Sequence, residues 1–415
     1  MEGRGDVAPG KSQERTFASQ MFGGDRVLWI ILAVLAVMSL LVVYSSTTSL
    51  TTQAKHLFFG FLAIWFVHRF NYQVYARFAK LAFIMSLGLM LLTFFVGVKI
   101  NDSARWLRIP IIGITFQPAD FLKVTLVMVL AQQLALRQIM INKMALLPRL
   151  FTGRQRNREM NRDIFFDTTL PVLGPVVLVC GTILYSNFST AAIVFFTCWI
   201  MLYIGRVRLG ELLRLMGIVM VATVGLLVLM HAAGIGRAET WANRLKDYAG
   251  IRTEQVEESA SSDSFQVEQA KIAIASGILG KGPGNSTQRV NLPLSYSDFA
   301  YAFIVEEYGT MGAMAVLLLY LWIFFRSILI FQKCGTAFPS LLVLGLGLMI
   351  VLQAFINMLV SVNLIPVTGQ TLPLISLGGS SLLFTSLALG MILGVSRQVA
   401  ERSLDRPRGE SLLEK

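Results

Sequence analysis

Asp298 is a single carboxylate that closes a long polar stretch and stands directly before an apolar run, with Glu306 and Glu307 inside that run. A carboxylate partly removed from water gains proton affinity and can take the proton of a hydroxyl nucleophile as a general base. The plainer reading is an N-cap or a favourable dipole contact at a helix start. Company argues for chemistry: at 1.5 Å per helical residue Glu306 lies roughly 12 Å deeper, and acids at membrane depth are functional candidates.

Asp120 and Lys123 are three positions apart, which puts them on one helical face where each lets the other stay charged. NDSARWLRIP (101–110) and FQPAD (116–120) lie around them. Two readings are open. One is a helix start with Pro118 in its first turn and a structural ion pair below. The other is a phosphate site, with Arg105 as bidentate donor, Lys123 as point charge and Trp106 as interfacial anchor.

SFQVEQAKIAIASGILGKGPGNSTQR (264–289) is spaced as a short amphipathic helix followed by a loop with Gly280, Gly282 and Gly284 around Lys281. Such a loop either brings backbone donors to an anion or is a turn with no ligand. In QAFINMLVSVNLIPVTGQTLPLISLGGSS (353–381), Pro366, Gly369, Pro373 and the pair Gly378–Gly379 break helix at membrane depth. Freed backbone there is tolerated inside protein or beside a wet cavity. Ser376, Ser380 and Ser381 either line that cavity or satisfy loose carbonyls.

The elements that must position these residues are membrane spans. Of 415 residues, 55% are hydrophobic and 14% charged, and several nearly uncharged runs reach the ~20 residues that cross a bilayer as helix. Spans are expected at about 27–46, 54–70, 74–96, 118–136, 169–185, 188–204, 212–231, 299–327, 337–362 and 375–396. This is an all-α polytopic membrane protein with ten transmembrane helices and a large periplasmic loop between helices 7 and 8. The opening run is too long for a cleaved signal and is expected to stay. Lys and Arg number 24 on the side of the termini and 11 on the other, so both termini lie in the cytoplasm. The net charge of +12 therefore reports topology rather than nucleic acid. The Arg-rich segment 149–162 reads as an inner-leaflet anchor for anionic membrane lipid.

The expected organisation is a disordered cytoplasmic tail at 1–24, a membrane domain at 25–397 that includes the outer loop 232–298, and a cytoplasmic tail at 398–415. Cys180, Cys198 and Cys334 form no framework and read as packing residues. His56, His68 and His231 are scattered, against a His-rich zinc site.

ARW, FQPAD with a following Lys, GKGPGNSTQR, a Pro-x-x-x-Ser-Asp-Phe element, Glu-Glu-x-Gly, QAFIN and TLPLISLGGSS, in this order, resemble the SEDS family of shape, elongation, division and sporulation proteins. The likeness runs from about Asp25 to Arg397 and is closer to the division branch. It implies a ten-span peptidoglycan glycosyltransferase that polymerises lipid II at the outer face of the cytoplasmic membrane during septal wall synthesis, releasing undecaprenyl pyrophosphate. It implies as partners a class B penicillin-binding protein and other divisome proteins. The family's essential carboxylate matches Asp298, and its Arg-Trp and Lys match Arg105, Trp106 and Lys123. Gln117, Lys281, Asn285, Gln288, Ser376 and Ser380 join these as candidate substrate contacts, with Asp120, Glu306 and Glu307 as supporting acids. A divalent cation, Mg or Mn, is suspected for the family, although nothing in this sequence fixes one, and no organic cofactor is expected.

The chain departs from the family pattern in several places. It reads PLSYSDF at 293–299 without the usual Glu and His, QPAD where QPSE is usual, SNFST at 186–190 without an acid, and Leu377 for a Tyr. Asp298 is thus the best remaining base, and a second outer-face catalytic acid is in doubt. The rival classes are a lipid II flippase, which uses similar broken helices and buried acids, and a scaffold that recruits the cross-linking enzyme.

Overall fold

The computed structural model describes residues 23–44, 50–100, 103–108, 115–144, 163–232, 248, 262–288 and 298–405. The expected N-tail up to residue 22, the Arg-rich segment 149–162, most of the loop 232–298 and residues 406–415 lie outside the described residues. The helices are α1 (Arg26–Tyr44), α2 (Leu50–Val67), α3 (Tyr72–Val96), α4 (Pro118–Leu136), α5 (Leu170–Ser186), α6 (Phe188–Ile204), α7 (Leu209–Ala232), α8 (Ser262–Ser276), α9 (Ala300–Lys333), α10 (Ala337–Ser361) and α11 (Gly379–Asp405). Among the described residues nine helical stretches are long and apolar enough to cross a membrane, and α6 is a shorter apolar helix. The chain is a helical, multi-pass membrane protein.

The helices divide into an inner and an outer set. In α4 and α10, 78% of an 18-residue stretch is buried, and in α11 72%, against 11% for α7. A helix that is apolar all round and enclosed by neighbours can carry polar groups only where they pair with one another. The inner helices are where the polar residues collect. At the other end of the bundle Asp25 accepts from the backbone N–H groups of Val27 and Leu28 and pairs with Arg326, with Nε 2.7 Å from Oδ2. This clamps the start of α1 to α9.

Four departures from the expected elements bear on the site. The connector before α4 is not irregular: β1 (Val98–Ile100), β2 (Ser103–Arg108) and β3 (Thr115–Phe116) form a small antiparallel sheet, with Trp106 opposite Val98 and Leu107 opposite Phe116. α9 is broken at Gly309, whose φ of 72° and ψ of −177° leave the helical region. The last span begins at Gly379 rather than about 375, because the chain from 362 to 378 is non-helical. It then runs on to Asp405, into the stretch expected as a tail. The short helix expected near 264 is present as α8, which packs through Ala270 against Phe299, Ala302 and Val360.

Candidate functional site

Pro118 opens α4 at its first helical position, Asp120 lies in that first turn, and Lys123 follows three residues on, on the same face. Lys123 Nζ lies 2.8 Å from Asp120 Oδ1, and both side chains are under 10% exposed. The ammonium also donates to Gln353 Oε1 of α10 at 3.0 Å, so two of its three N–H donors have partners. Gln353 in turn donates to the carbonyl of Thr371 at 3.0 Å, and the Thr371 hydroxyl meets Ser381 Oγ at 3.0 Å.

One turn along α10, Asn357 is fully buried. Its Nδ2 donates to the carbonyl oxygens of Asp298, at 2.8 Å, and Gln370, at 2.7 Å. Gln370 donates onward to Thr190 Oγ1 of α6 at 2.8 Å. Tyr320 of α9 donates to the Pro373 carbonyl, and Ser39 of α1 donates to the Ile375 carbonyl at 3.1 Å. The non-helical segment therefore has its freed carbonyls taken by side chains from α1, α9 and α10. Irregular backbone is stable at this depth only when so satisfied.

Asp298 is half-buried, and the N-cap position of α9 belongs to the next residue, Phe299. Its carboxylate faces the broken segment: a Cβ added at Gly369 would lie 3.6 Å from Asp298 Oδ2. Gly369 has φ +64°, a conformation open to glycine at little cost. Within three consecutive residues, Gly369, Gln370 and Thr371, the segment thus adjoins Asp298 at its first residue and the amide that holds Lys123 at its last.

The glycine loop turns out to serve Glu306. That carboxylate is fully buried and lies 2.8 Å from Lys281 Nζ. It also accepts from Ser286 Oγ, and from Thr287 N at 3.0 Å and Thr287 Oγ1 at 2.9 Å. The backbone N–H groups of Lys281 and Gly282 donate to the carbonyls of Glu306 and Glu307, both at 2.9 Å, and Thr310 N donates back to Ile278 at 3.1 Å. The break at Gly309 leaves the carbonyls just before it without their helical partners, and the loop supplies donors. Close approach requires Gly277, where an added Cβ would stand 2.2 Å from Glu306 Cα. Two of the backbone donors expected to meet an anion are committed to protein carbonyls, and the Lys281 ammonium is committed to Glu306.

The other expected residues fall as follows. Trp106 is part-buried on β2, next to Arg105, whose side chain lies outside the described set. Gln117 donates its backbone N–H to Ser380 Oγ at 3.4 Å. Ser376 Oγ accepts from Leu372 N at 2.8 Å, closing a turn. Asn285 donates to the Lys281 carbonyl at 3.0 Å, bracing the glycine loop. Gln288 closes that loop, part-buried, and Glu307 is buried beside Glu306. Ser376 and Ser380 thus accept from backbone N–H groups of the broken segment and its neighbour, rather than serving the loose carbonyls expected of them.

Among the described residues no three His, Cys, Asp or Glu side chains come together as a metal-binding group, and the Glu306 oxygens are already taken by Lys281, Ser286 and Thr287. Among the described residues the expected divalent cation has no ready-made set of protein ligands.

Gln353, Asn357, Thr190 and Gln370 were not singled out by sequence as site residues. The signal for the first two was the QAFIN motif, which places two amides four positions apart on one helical face.

Comparison with known proteins extends these observations. A family model described as "Cell cycle protein", covering FtsW, RodA and SpoVE, matches residues 25–401. The chain is 30% identical over 376 residues to a protein of Nitrosococcus halophilus named "Probable peptidoglycan glycosyltransferase FtsW", with 86% of each chain covered. It is 29% identical to "Stage V sporulation protein E" of Bacillus subtilis, with 90% of this chain and 97% of that one covered. Its fold is similar to a chain from the structure described as "Structural coordination of polymerization and crosslinking by a peptidoglycan synthase complex", with TM-score 0.66, 23% identity and 91% and 98% of the two chains covered. It is also similar to the rod shape determining protein RodA of Thermus thermophilus, with TM-score 0.57, 22% identity and 90% and 97% covered.

Proposed function

Because the chain belongs to the FtsW, RodA and SpoVE family of cell cycle proteins, we propose that it is a peptidoglycan glycosyltransferase polymerising lipid II during septal wall synthesis. In this reading the chain crosses the cytoplasmic membrane ten times, with both termini inside and the 232–298 loop outside. The observation that carries the reading is the arrangement around Gly369–Thr371, where a half-buried acid adjoins one end of the segment and a buried lysine is tied to the other through Gln353.

The reaction joins two lipid-linked disaccharides. Asp298 accepts the proton of the 4-hydroxyl of one sugar as that oxygen forms a bond to the anomeric carbon of the other. The bond from that carbon to the diphosphate oxygen breaks, undecaprenyl pyrophosphate departs with the electron pair, and the carbon inverts. Lys123 and Arg105 face the charge that develops on the leaving diphosphate. A preorganised donor in such a place is worth about 3–4 kcal/mol, and general-base assistance about 10²–10⁴-fold in rate. Trp106, on the strand beside Arg105, anchors that ribbon at the membrane interface. No step is assigned to a divalent cation; one that takes part would arrive with the diphosphate.

The partner is a class B penicillin-binding protein that cross-links the strands, within a larger set of division proteins. A relative's fold occurs in a complex described by polymerisation and crosslinking, which supports that pairing. The test is a polymerisation assay with labelled lipid II on the purified protein, with and without its partner. Glycan strands are the expected product; movement of lipid II across a vesicle wall with no polymer would make the protein a carrier instead.

A further inference from the structure

The QAFIN motif is not accounted for by the reaction as written, yet its Gln353 and Asn357 are the two side chains that join the acid to the lysine. They stand one turn apart on the buried face of α10. Each uses its amide nitrogen on the broken segment, and on consecutive residues: Asn357 on the Gln370 carbonyl, Gln353 on the Thr371 carbonyl. Each also reaches one member of the reacting pair. Asn357 holds the Asp298 carbonyl, and Gln353 Oε1 takes the Lys123 ammonium. Asn357 Oδ1 is buried with no partner among the described residues, a cost that a residue kept only for packing would shed.

Resting on the reading of Asp298 as base, we infer that Asn357 and Gln353 are positioning residues that set the separation between that acid and Lys123. Both are referred to the backbone of Gln370–Thr371. The two amides act as a spacer fixed by the rise of one helical turn. Loss of the Asn357 donor frees the Asp298 backbone from the broken segment, and the carboxylate drifts relative to the bound sugar. A misplacement of about 1 Å at a reacting group costs roughly 10²-fold in rate. A Cβ at Gly369 would stand 3.6 Å from Asp298 Oδ2, an ordinary contact, so this residue lines the carboxylate without pressing on it.

The experiment measures kcat and KM for labelled lipid II with the full-length protein and its partner. The variants are Asn357→Ala, Asn357→Gln and Gln353→Ala, alongside Asp298→Asn. Asn357→Ala is expected to lower kcat about 10- to 100-fold with KM within about twofold of wild type. Asn357→Gln, which retains a donor on a longer side chain, is expected to recover part of the loss, and Gln353→Ala to lower kcat in the same way. Should Asn357→Ala fail to fold, the other two variants decide. A wild-type kcat in Gln353→Ala and in every Asn357 variant that folds, or a raised KM with unchanged kcat, overturns the positioning role. In either case an inactive Asp298→Asn leaves the base assignment standing. A fully active Asp298→Asn overturns the base itself, whatever Asn357 does.

Discussion

Lys281 and Glu306 are 25 residues apart in sequence, and Lys281 Nζ lies 2.8 Å from Glu306 Oε1. The pair explains why a Gly-rich polar loop and a broken helix occur together. The loop wraps the carboxylate, and the break at Gly309 frees the carbonyls that the loop's N–H groups take. Removing one partner of a buried ion pair costs about 3–5 kcal/mol because the other charge is left uncompensated. Lys281→Met is therefore expected to lower the melting temperature in detergent markedly, and Lys281→Met with Glu306→Gln to restore much of it. Equal melting temperatures for wild type and Lys281→Met would remove this structural role.

Two glycines of that loop separate space from conformation. Gly277→Ala would press a methyl group onto the Glu306 backbone at 2.2 Å, where neither chain can give way, and is expected to abolish folded protein. Gly284→Ala meets nothing within 4 Å, although its φ is +83°, and is expected to cost only the 1–2 kcal/mol of a left-handed alanine. Yield of monodisperse protein and melting temperature are the readouts.

Asp120 and Lys123 allow the structural and chemical parts of a buried pair to be divided. Lys123→Met alone leaves a buried carboxylate, and loss of stability by several kcal/mol is expected. Adding Asp120→Asn should return stability. Polymerising activity should stay low in the double variant if Lys123 faces the leaving diphosphate. Full activity in a stable double variant would assign the pair to structure alone.

Topology is tested by labelling from outside with a membrane-impermeant maleimide. Asn285→Cys is expected to react in intact cells, and Gly335→Cys only after permeabilisation. Native Cys334 is a poor reporter, because burial pushes its thiol up to about 11, so little thiolate exists at neutral pH. Its labelling in permeabilised cells should rise about tenfold per pH unit up to that value. The reverse pattern of Asn285→Cys and Gly335→Cys would invert the orientation.

Much of this was readable beforehand where the signal is local. The apolar runs matched the helices to within about four residues, except that α9 and α11 run six and nine residues beyond the expected ends, and the spacing of Asp120 and Lys123 gave a true ion pair. Pro366, Gly369 and Pro373 marked the non-helical segment. What failed to show was partnership across the chain. Nothing in GKGPGNST points to a glutamate two dozen residues later, so whether the loop cradles an anion or is a turn with no ligand stayed open until the Glu306 contacts were seen. Nor does the connector 98–117 declare a three-stranded ribbon, since strands of three, six and two residues carry too little pattern. Thr190 and Gln370 are single polar residues whose meaning appears only once α6 and the broken segment are adjacent.

The central claim is that Asp298 takes the proton from the attacking sugar hydroxyl. Its most direct test is the rate of glycan formation from labelled lipid II by purified Asp298→Ala, folded and bound to its penicillin-binding partner as wild type is. The account predicts a loss of at least about 10²-fold, with lipid II still bound. Glycan strands made at near the wild-type rate would contradict it.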